Sequence, residues 1–207
     1  MKISLRQRFF AWMLKNGDAL SHKLYGSYKR KLFGDLYGTV VEIGPGTGVN
    51  FQYFPPGISW IGIEPNEAFY QDLKRAGERR GIASKLIKGA ALEIPLADNS
   101  ADALISTLVL CSVKDPPRVL AEIFRVLKPG GKFIFIEHVA AFEGTKLRLA
   151  QNIFNPINQI VADGCNCNRE TWKPIEELGF KELEMSHHRM KGTLSLHSPH
   201  IIGRAIK

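Results

Sequence analysis

A glycine-rich turn between a short apolar run and a helical stretch is the feature that most constrains the fold of this 207-residue chain. Residues 39–43 read as a β-strand, and the turn Gly44-Pro45-Gly46-Thr47-Gly48 follows directly. Glycine lets the backbone bend sharply and lets a ligand approach the main chain, while the start of the next helix offers free N–H groups. This pattern predicts the first βα unit of an open α/β sheet, with a ligand site at the turn.

The rest of the chain alternates β-like runs with helical stretches, which predicts parallel strands joined by crossover helices. Strands are expected at 39–43, 59–64, 85–88, 102–107, 132–137, 181–186 and 201–205, and helices at 3–15, before 55, at 66–81, at 116–127 and at 172–178. No helix separates the last two strands, so the last strand should run antiparallel. The predicted fold is α/β: a Rossmann-like seven-stranded sheet, parallel except for an antiparallel last strand, with helices on both faces.

Positive charge is concentrated at the start of the chain. Residues 1–34 contain eight Lys or Arg side chains and one acid, Asp18, and so account for seven of the eight net positive charges. The nearly neutral remainder argues against a nucleic-acid partner. We therefore divide the chain into a basic amphipathic helical segment, 1–34, and an α/β domain, 35–207. The segment is interpreted as a lid, a membrane contact or both, and the irregular stretch 140–170 as an insertion on the substrate side.

The cysteine content favours neither a disulfide scaffold nor a metal site. The chain has three cysteines, and pairing Cys165-x-Cys167 with His187-His188 departs from zinc sites, in which paired cysteines are usually two to four residues apart. We expect no metal. The sequence has neither an apolar run of roughly 18 residues nor a signal-peptide pattern. These features predict a cytoplasmic monomer, with peripheral membrane contact through residues 1–34 as the alternative.

An acidic residue at the end of the second strand narrows the choice of ligand. Glu64 lies 20 positions after Gly44, an offset that suits a carboxylate bound to a ribose diol. A nicotinamide dinucleotide fits less well, because Val49 replaces a small residue and Glu42 would repel a pyrophosphate. S-adenosylmethionine (SAM), which carries an ammonium and a sulfonium, tolerates that carboxylate. SAM is therefore the predicted methyl donor and S-adenosylhomocysteine (SAH) the product.

Two further segments resemble class I SAM-dependent methyltransferases. Residues 127–132 are similar to the turn before their fifth strand, and residues 89–95 are similar to the segment that borders adenine. The family often has an Asp where this chain has Ala90, so adenine recognition is assigned to backbone groups around Ala90 and Ala91. The candidate cofactor-binding residues are Glu42, Gly44, Pro45, Gly46, Gly48, Glu64, Pro65, Asn66, Ala90, Ala91, Thr107 and Leu108.

A more specific resemblance extends from about residue 28 to residue 207. It is to the thiol-methyltransferase branch called methyltransferase-like seven, and it is carried by seven strings: Pro55-Pro56-Gly57, Glu64-Pro65-Asn66, 107–114, 137–141, 163–166, 169–172 and Pro199-His200-Ile201. The resemblance implies S-methylation of small thiols, with hydrogen sulfide among the acceptors, at a membrane surface. Animal members open with a hydrophobic anchor, where this chain has a short basic amphipathic start.

Methylation of a thiol requires alignment of the two reactants and removal of a proton. By motif, His138 and His200 are candidate bases and Asp163 a candidate orienting carboxylate, with a structural role left open for each histidine. The strand-four end and the insertion predict an acceptor pocket of Val109, Leu110, Cys111 and Cys165. The alternatives are O-, N- or C-methylation of a quinone, lipid or other hydrophobic metabolite, a non-catalytic membrane-binding module, and a nicotinamide oxidoreductase.

Overall fold

A computed structural model describes residues 3–193 and 195–207; the first two residues of the predicted basic segment lie outside this range. The strands are β1 (Thr39–Ile43), β2 (Ser59–Glu64), β3 (Ala83–Lys88), β4 (Ala101–Thr107), β5 (Leu127–His138), β6 (Glu182–Arg189) and β7 (Pro199–Ile206). They form one sheet in the order β3-β2-β1-β4-β5-β7-β6. Only β7 is reversed, since it pairs antiparallel with both β5 and β6. The predicted sheet is confirmed.

Helices cover both faces of the sheet, as predicted. The helices are α1 (Leu5–Phe33), α2 (Tyr70–Arg80), α3 (Pro116–Val126), α4 (Lys146–Val161) and α5 (Trp172–Glu177). Successive strand residues point to opposite faces, so Val41 packs in the apolar layer under α3 and α5, and Val40 packs in the layer that contains Phe33 of α1 and Leu73 of α2. Because β1, β2 and β4 run parallel between these two layers, their carboxyl ends lie at one edge of the sheet.

Local capping explains why the middle of the chain agrees with its sequence pattern. β1 and β2 have the predicted bounds. Asn66 caps the predicted helix start, and its side chain accepts a hydrogen bond from the N–H of Ala68 at 3.0 Å. The chain first makes a 3-10 turn at Glu67–Phe69 and then α2, which ends at Gly81 with φ 61°. A left-handed residue of this kind is a common helix stop.

α1 is much longer than the helix predicted at 3–15. It begins after Ser4, whose side chain and that of Gln7 cap each other's backbone N–H groups, and it runs for 29 residues to Phe33. Position 26, inside the helix, requires a glycine, because a Cβ there would come 2.9 Å from the Tyr53 hydroxyl. Lys29, one of the eight basic residues of segment 1–34, is fully buried.

The stretch 140–170 also contains an unpredicted helix, α4. Its attachment to the domain is polar: buried Gln151 accepts a hydrogen bond from the N–H of Ala141 at 2.7 Å and donates to the carbonyls of Val139 and Leu196. Its apolar side chains face solvent instead, namely Leu149, Ile153, Phe154, Ile157, Ile160 and Val161. Among the residues described, we find no helix that combines the length and the apolar character needed to cross a membrane.

Candidate active site

A cavity of about 770 Å³ lies at the carboxyl ends of β1, β2 and β4, beneath α1. Thirteen of the residues chosen from sequence line it: Glu42, Gly44, Pro45, Gly46, Glu64, Pro65, Asn66, Ala90, Ala91, Thr107, Leu108, Val109 and Asp163. The remaining six are not on its wall: Gly48, Leu110, Cys111, His138, Cys165 and His200. The structure thus brings the cofactor residues together, whereas most of the candidate acceptor and catalytic residues lie behind the wall.

The glycine turn gives the cavity an open backbone edge. Gly44 and Gly46 have φ values of 56° and 55°, in the left-handed region that side chains rarely adopt. A Cβ on Gly46 would project into the cavity, with Leu14 as its nearest neighbour at 3.8 Å. Gly48 does not face the cavity, and a Cβ there would come 3.1 Å from both Phe51 and Ala76. It permits close packing behind the turn.

Glu64 joins the two loops on either side of the cavity. Its carboxylate accepts hydrogen bonds from the N–H of Gly46 at 3.1 Å and the N–H of Asn66 at 2.8 Å. Burial raises the pKa of Glu64 to about 7, although both backbone donors oppose that shift. Each carboxylate oxygen can accept more than one hydrogen bond. Glu64 can therefore hold the turn and still accept bonds from a ligand.

A second buried carboxylate, Glu42, lies at the base of the turn. It accepts hydrogen bonds from Asn50 at 2.7 Å and from the Trp60 indole at 2.9 Å. Burial raises its pKa, and the nearby Lys29 ammonium opposes that shift. The pKa of Lys29 is in turn lowered to about 8, chiefly by burial. The pair places one positive and one negative group beside the cavity.

Asn50 leaves an acceptor available to a ligand. Its amide nitrogen also contacts the Thr107 hydroxyl at 3.2 Å. Its carbonyl oxygen is buried and has no hydrogen-bond partner among the residues described, yet Asn50 lines the cavity. A buried unpaired oxygen is costly, and a ligand with an N–H or ammonium group would satisfy it. Asn50 was not predicted from the sequence, although its position two residues after Gly48 was a signal.

α1 forms the outer wall of the cavity. Phe10, Met13, Leu14, Leu24 and Tyr25 all face the interior. Several polar contacts tie the helix down: Thr47 donates to Asp18 at 2.8 Å, Asn66 donates to the carbonyl of Gln7 at 3.1 Å, and Lys15 pairs with Asp72 at 3.0 Å. These wall residues were not selected from sequence, because nothing local in a long helix shows what it covers.

The loop after β4 is held in a strained conformation. Leu108 lines the cavity with φ 59°, which is unfavourable for a branched side chain. Buried Glu137 at the end of β5 stabilises the loop by accepting hydrogen bonds from the N–H groups of Val109 and Leu110, both at 3.1 Å, and from the Ser106 hydroxyl at 2.5 Å. Glu137 is therefore a positioning residue, which the sequence indicated only as part of the string 137–141.

His200 has both ring nitrogens occupied by protein groups. Its Nδ1 lies 3.1 Å from the Ser198 carbonyl, which can only accept, so Nδ1 carries the proton. Nε2 is then the acceptor for the Tyr25 hydroxyl at 2.9 Å. Burial lowers the pKa of His200 to about 4. The structure thus gives His200 the task of orienting Tyr25, and not of contacting an acceptor.

The other two predicted catalytic residues are also placed differently from expectation. Asp163 does not meet either histidine; its carboxylate pairs with Arg6 at 3.1 Å. His138 is buried beside Cys165, with its Nε2 2.8 Å from the sulfur. The histidine that does line the cavity is His197, in a 3-10 turn before β7. No motif in the sequence pointed to His197, because the fold of the distant 190–200 segment brings it there.

Comparisons with known proteins agree with this architecture. The family described as a methyltransferase domain matches residues 41–135. Thiol S-methyltransferase TMT1B of Rattus norvegicus is 39% identical, over 96% of this chain and 86% of that protein. Thiol S-methyltransferase TMT1A of Homo sapiens is 37% identical, over 97% of this chain and 87% of that protein.

A solved SAM-dependent methyltransferase of Thermotoga maritima superposes with a TM-score of 0.68 at 21% identity, covering 98% of each chain. This likeness shows the fold, whereas the two sequence matches extend over most of each protein and confirm the family that the motifs predicted. The chain therefore belongs to the SAM-dependent methyltransferases, in the family of the thiol S-methyltransferases TMT1A and TMT1B.

Proposed function

We propose that this protein transfers a methyl group from SAM to the sulfur of a small thiol. The observation that carries the proposal is the match to thiol S-methyltransferases over 96–97% of the chain. That match includes the segments that supply both ends of the cavity. The structure adds a physical reason for each half of the reaction.

The donor end has the chemistry that SAM requires. Glu64 is positioned to accept hydrogen bonds from a ribose diol. The unpaired carbonyl of Asn50, together with buried Glu42, offers acceptors to an ammonium group. The open edge at Gly46 leaves room for the ligand. When bound, SAM supplies an electrophilic methyl group on a sulfonium and leaves as a neutral thioether, so the protein needs no acid to protonate it.

The acceptor end favours a small, weakly polar nucleophile. Leu24, Leu108, Val109 and Val113 are apolar residues on its wall. An apolar wall excludes water and holds an acceptor in line with the methyl group. His197 is the imidazole on this wall, so it is the residue we assign to accept the thiol proton. This replaces the assignment of that task to His138 or His200.

A comparison of turnover with four acceptors tests the proposal directly. Purified protein with SAM would be offered an alkyl thiol, sulfide, a phenol and a quinol, and the formation of SAH would be measured with each acceptor. We expect turnover with the two sulfur acceptors. Gly46→Val should abolish it, because the new side chain fills the space that the donor needs. Turnover on the phenol or quinol without turnover on either sulfur acceptor would replace this proposal with the O- or C-methylation alternative.

A further inference from the structure

Three buried side chains that the function does not use converge behind the cavity wall. Cys111 follows β4, His138 ends β5, and Cys165 lies in the loop after α4. One sulfur or nitrogen atom from each lies within 4.8 Å of the other two. The three residues are 2%, 5% and 6% exposed, respectively. Residues distant in sequence thus form a compact, dry group of nitrogen and sulfur atoms.

The members of this group interact mainly with one another. The Cys111 sulfur hydrogen-bonds with that of Cys165, and its other polar neighbours are the Leu108 carbonyl at 3.7 Å and the Ser112 hydroxyl at 3.5 Å. Nδ1 of His138 is buried and has no hydrogen-bond partner within residues 3–193 and 195–207. Nε2 is the nitrogen that faces the sulfurs, so a metal would bind there and Nδ1 would carry the ring proton. The ring is held toward the sulfur of Cys165, 2.8 Å from its Nε2.

We propose that Cys111, His138 and Cys165 bind a zinc ion whose fourth position takes the acceptor thiolate. Two thiolates and one imidazole form a known ligand set for zinc sites that keep one position open. Zn–S bonds of about 2.3 Å and Zn–N bonds of about 2.0 Å require ligand atoms roughly 3.5–3.8 Å apart. The ligand atoms of the observed group lie within 4.8 Å of one another, and the 2.8 Å between Nε2 of His138 and Sγ of Cys165 would lengthen to about 3.5 Å as the ion enters. Binding releases one proton from each thiol, so the ion and its two thiolates are neutral overall, as a buried site requires.

The surroundings of the three ligands indicate where the open position lies. Leu108 and Ser112, which contact Cys111, both line the cavity. His197, also on the wall, packs edge-on against His138 with ring centroids 5.1 Å apart. The metal site is therefore separated from the acceptor end by a single layer of residues. An acceptor thiol would have to pass between Leu108 and Ser112 to reach the ion, and there it would lose its proton to His197 and bind as the thiolate.

This part of the inference rests on the proposed function and would explain a preference for sulfur acceptors. The bound sulfur then uses a lone pair to form the new S–CH3 bond, the bond from that carbon to the sulfonium sulfur breaks, and its electron pair stays with the departing thioether. Zinc binds thiolates in preference to alcohols, so sulfur acceptors would be favoured. No metal was expected from the sequence, because the pair Cys165-x-Cys167 departs from the usual spacing of zinc motifs and nothing local relates Cys111 or His138 to it.

Metal binding can be measured without turnover. The full-length protein would be stripped with a chelator and titrated with zinc against a chromophoric competitor. We expect one zinc per chain, and about 100-fold or more weaker binding in Cys111→Ser, Cys165→Ser and His138→Gln. Cys167→Ser is the matched control: this cysteine is equally buried and adjacent in sequence, but its sulfur contacts Gln151 and Asn155 outside the group. Thermal unfolding of each metal-free variant checks that it folds.

Cobalt tests the fourth position. The cobalt-loaded protein should show thiolate charge-transfer bands that change with methanethiol but not with methanol. No stoichiometric binding, or equal loss in Cys167→Ser, overturns the zinc site, and a spectrum indifferent to the thiol overturns the open position. Full thiol methylation by metal-free protein would overturn this inference and leave the proposed function standing. Absence of thiol methylation by protein with one bound zinc would overturn the proposed function and leave the zinc site standing.

Discussion

Glu64 links the local structure of the turn to its ability to bind a ligand. Its two backbone bonds, to Gly46 and Asn66, orient both loops of the donor end. Burial raises its pKa to about 7, so the folded protein holds a proton on this group that the unfolded chain would release at lower pH. The stability that Glu64 contributes is therefore lost as the pH rises toward 7. Ligand binding instead requires the ionised form of Glu64, because the hydroxyl groups of a ribose donate hydrogen bonds to a carboxylate.

We predict that the affinity for SAH falls as the pH drops below 7. Protonation of Glu64 removes acceptor capacity, so the loss should approach tenfold per pH unit at the acid end. Titration calorimetry between pH 5.5 and 8 would measure it. Glu64→Ala should weaken binding by about 1.5–3 kcal/mol at pH 8, the usual range for a hydrogen bond to a charged group. Glu64→Gln should flatten the profile; an unchanged slope in that variant would assign the pH effect to another group.

His197 gives a second prediction at this scale. If its imidazole accepts the thiol proton, His197→Gln should lower kcat/KM for an alkyl thiol by about 100-fold or more, the usual contribution of a positioned base. The loss should shrink at high pH, where the free thiol ionises without help. SAH affinity should stay near that of the parent. His187→Gln, on the exposed part of β6, is the control. Equal losses at pH 7 and pH 10 would show that His197 acts only on structure.

The residues of the donor end were predictable because their signals are local. Gly44, Gly46 and Glu64 follow strands whose apolar pattern is plain, and strand ends of a parallel sheet meet at one edge. Lys29 and His197 gave no such signal. Lys29 is buried by contacts with Tyr25 and Tyr53, and His197 reaches the cavity through the pairing of β7 with β5. Long-range packing decides both positions.

At the scale of whole elements, α1 was predicted only in part, as a helix at 3–15 within a helical segment 1–34, and α4 was not predicted. α1 contains Gly17, Asp18 and Gly26, all unfavourable inside a helix, and it persists because its inner face closes the cavity. α4 contains Pro156 and several asparagines, and its apolar side faces outward. Helices are usually predicted from an apolar stripe that faces the core and from the absence of proline, and α4 has neither feature. The strands of the sheet were predictable because burial reinforces their local preference.

α1 carries its own prediction. Removing residues 1–15 deletes Phe10, Met13 and Leu14 from the cavity wall, so SAH binding should weaken by roughly 1–3 kcal/mol through lost apolar contact. Lys15→Met, which breaks only the exposed pair with Asp72, should change affinity by less than about 1 kcal/mol. Calorimetry on both proteins is the measurement. A truncated protein that binds SAH as tightly as the parent would mean that the helix is not a lid.

For the molecule as a whole, one surface is unusual. The carboxyl end of α4 lies near the start of α1, since Arg6 pairs with Asp163 just after α4, and both helices have exposed apolar side chains, including Leu5, Phe9 and Trp12 on α1. Ile160 is 75% and Trp12 62% exposed. Apolar side chains beside basic ones such as Arg8 form a surface suited to the interface of an anionic membrane. We propose that this surface, rather than α1 alone, makes the membrane contact.

Vesicle co-sedimentation separates this proposal from a lid without membrane contact. The protein should bind vesicles that contain about 30% phosphatidylserine, and binding should weaken with added salt because part of the attraction is between charges. Ile157→Ser with Ile160→Ser should reduce binding at least tenfold, since each exposed side chain contributes about 1 kcal/mol or more on insertion, while thiol methylation in solution stays unchanged. Tyr37→Ser is the matched control, because Tyr37 is equally exposed but precedes β1 at the opposite edge of the sheet. Equal binding by the double variant and the parent would leave α4 without a role at the membrane, and loss of solution activity in the double variant would instead place its apolar side chains in the catalytic cycle.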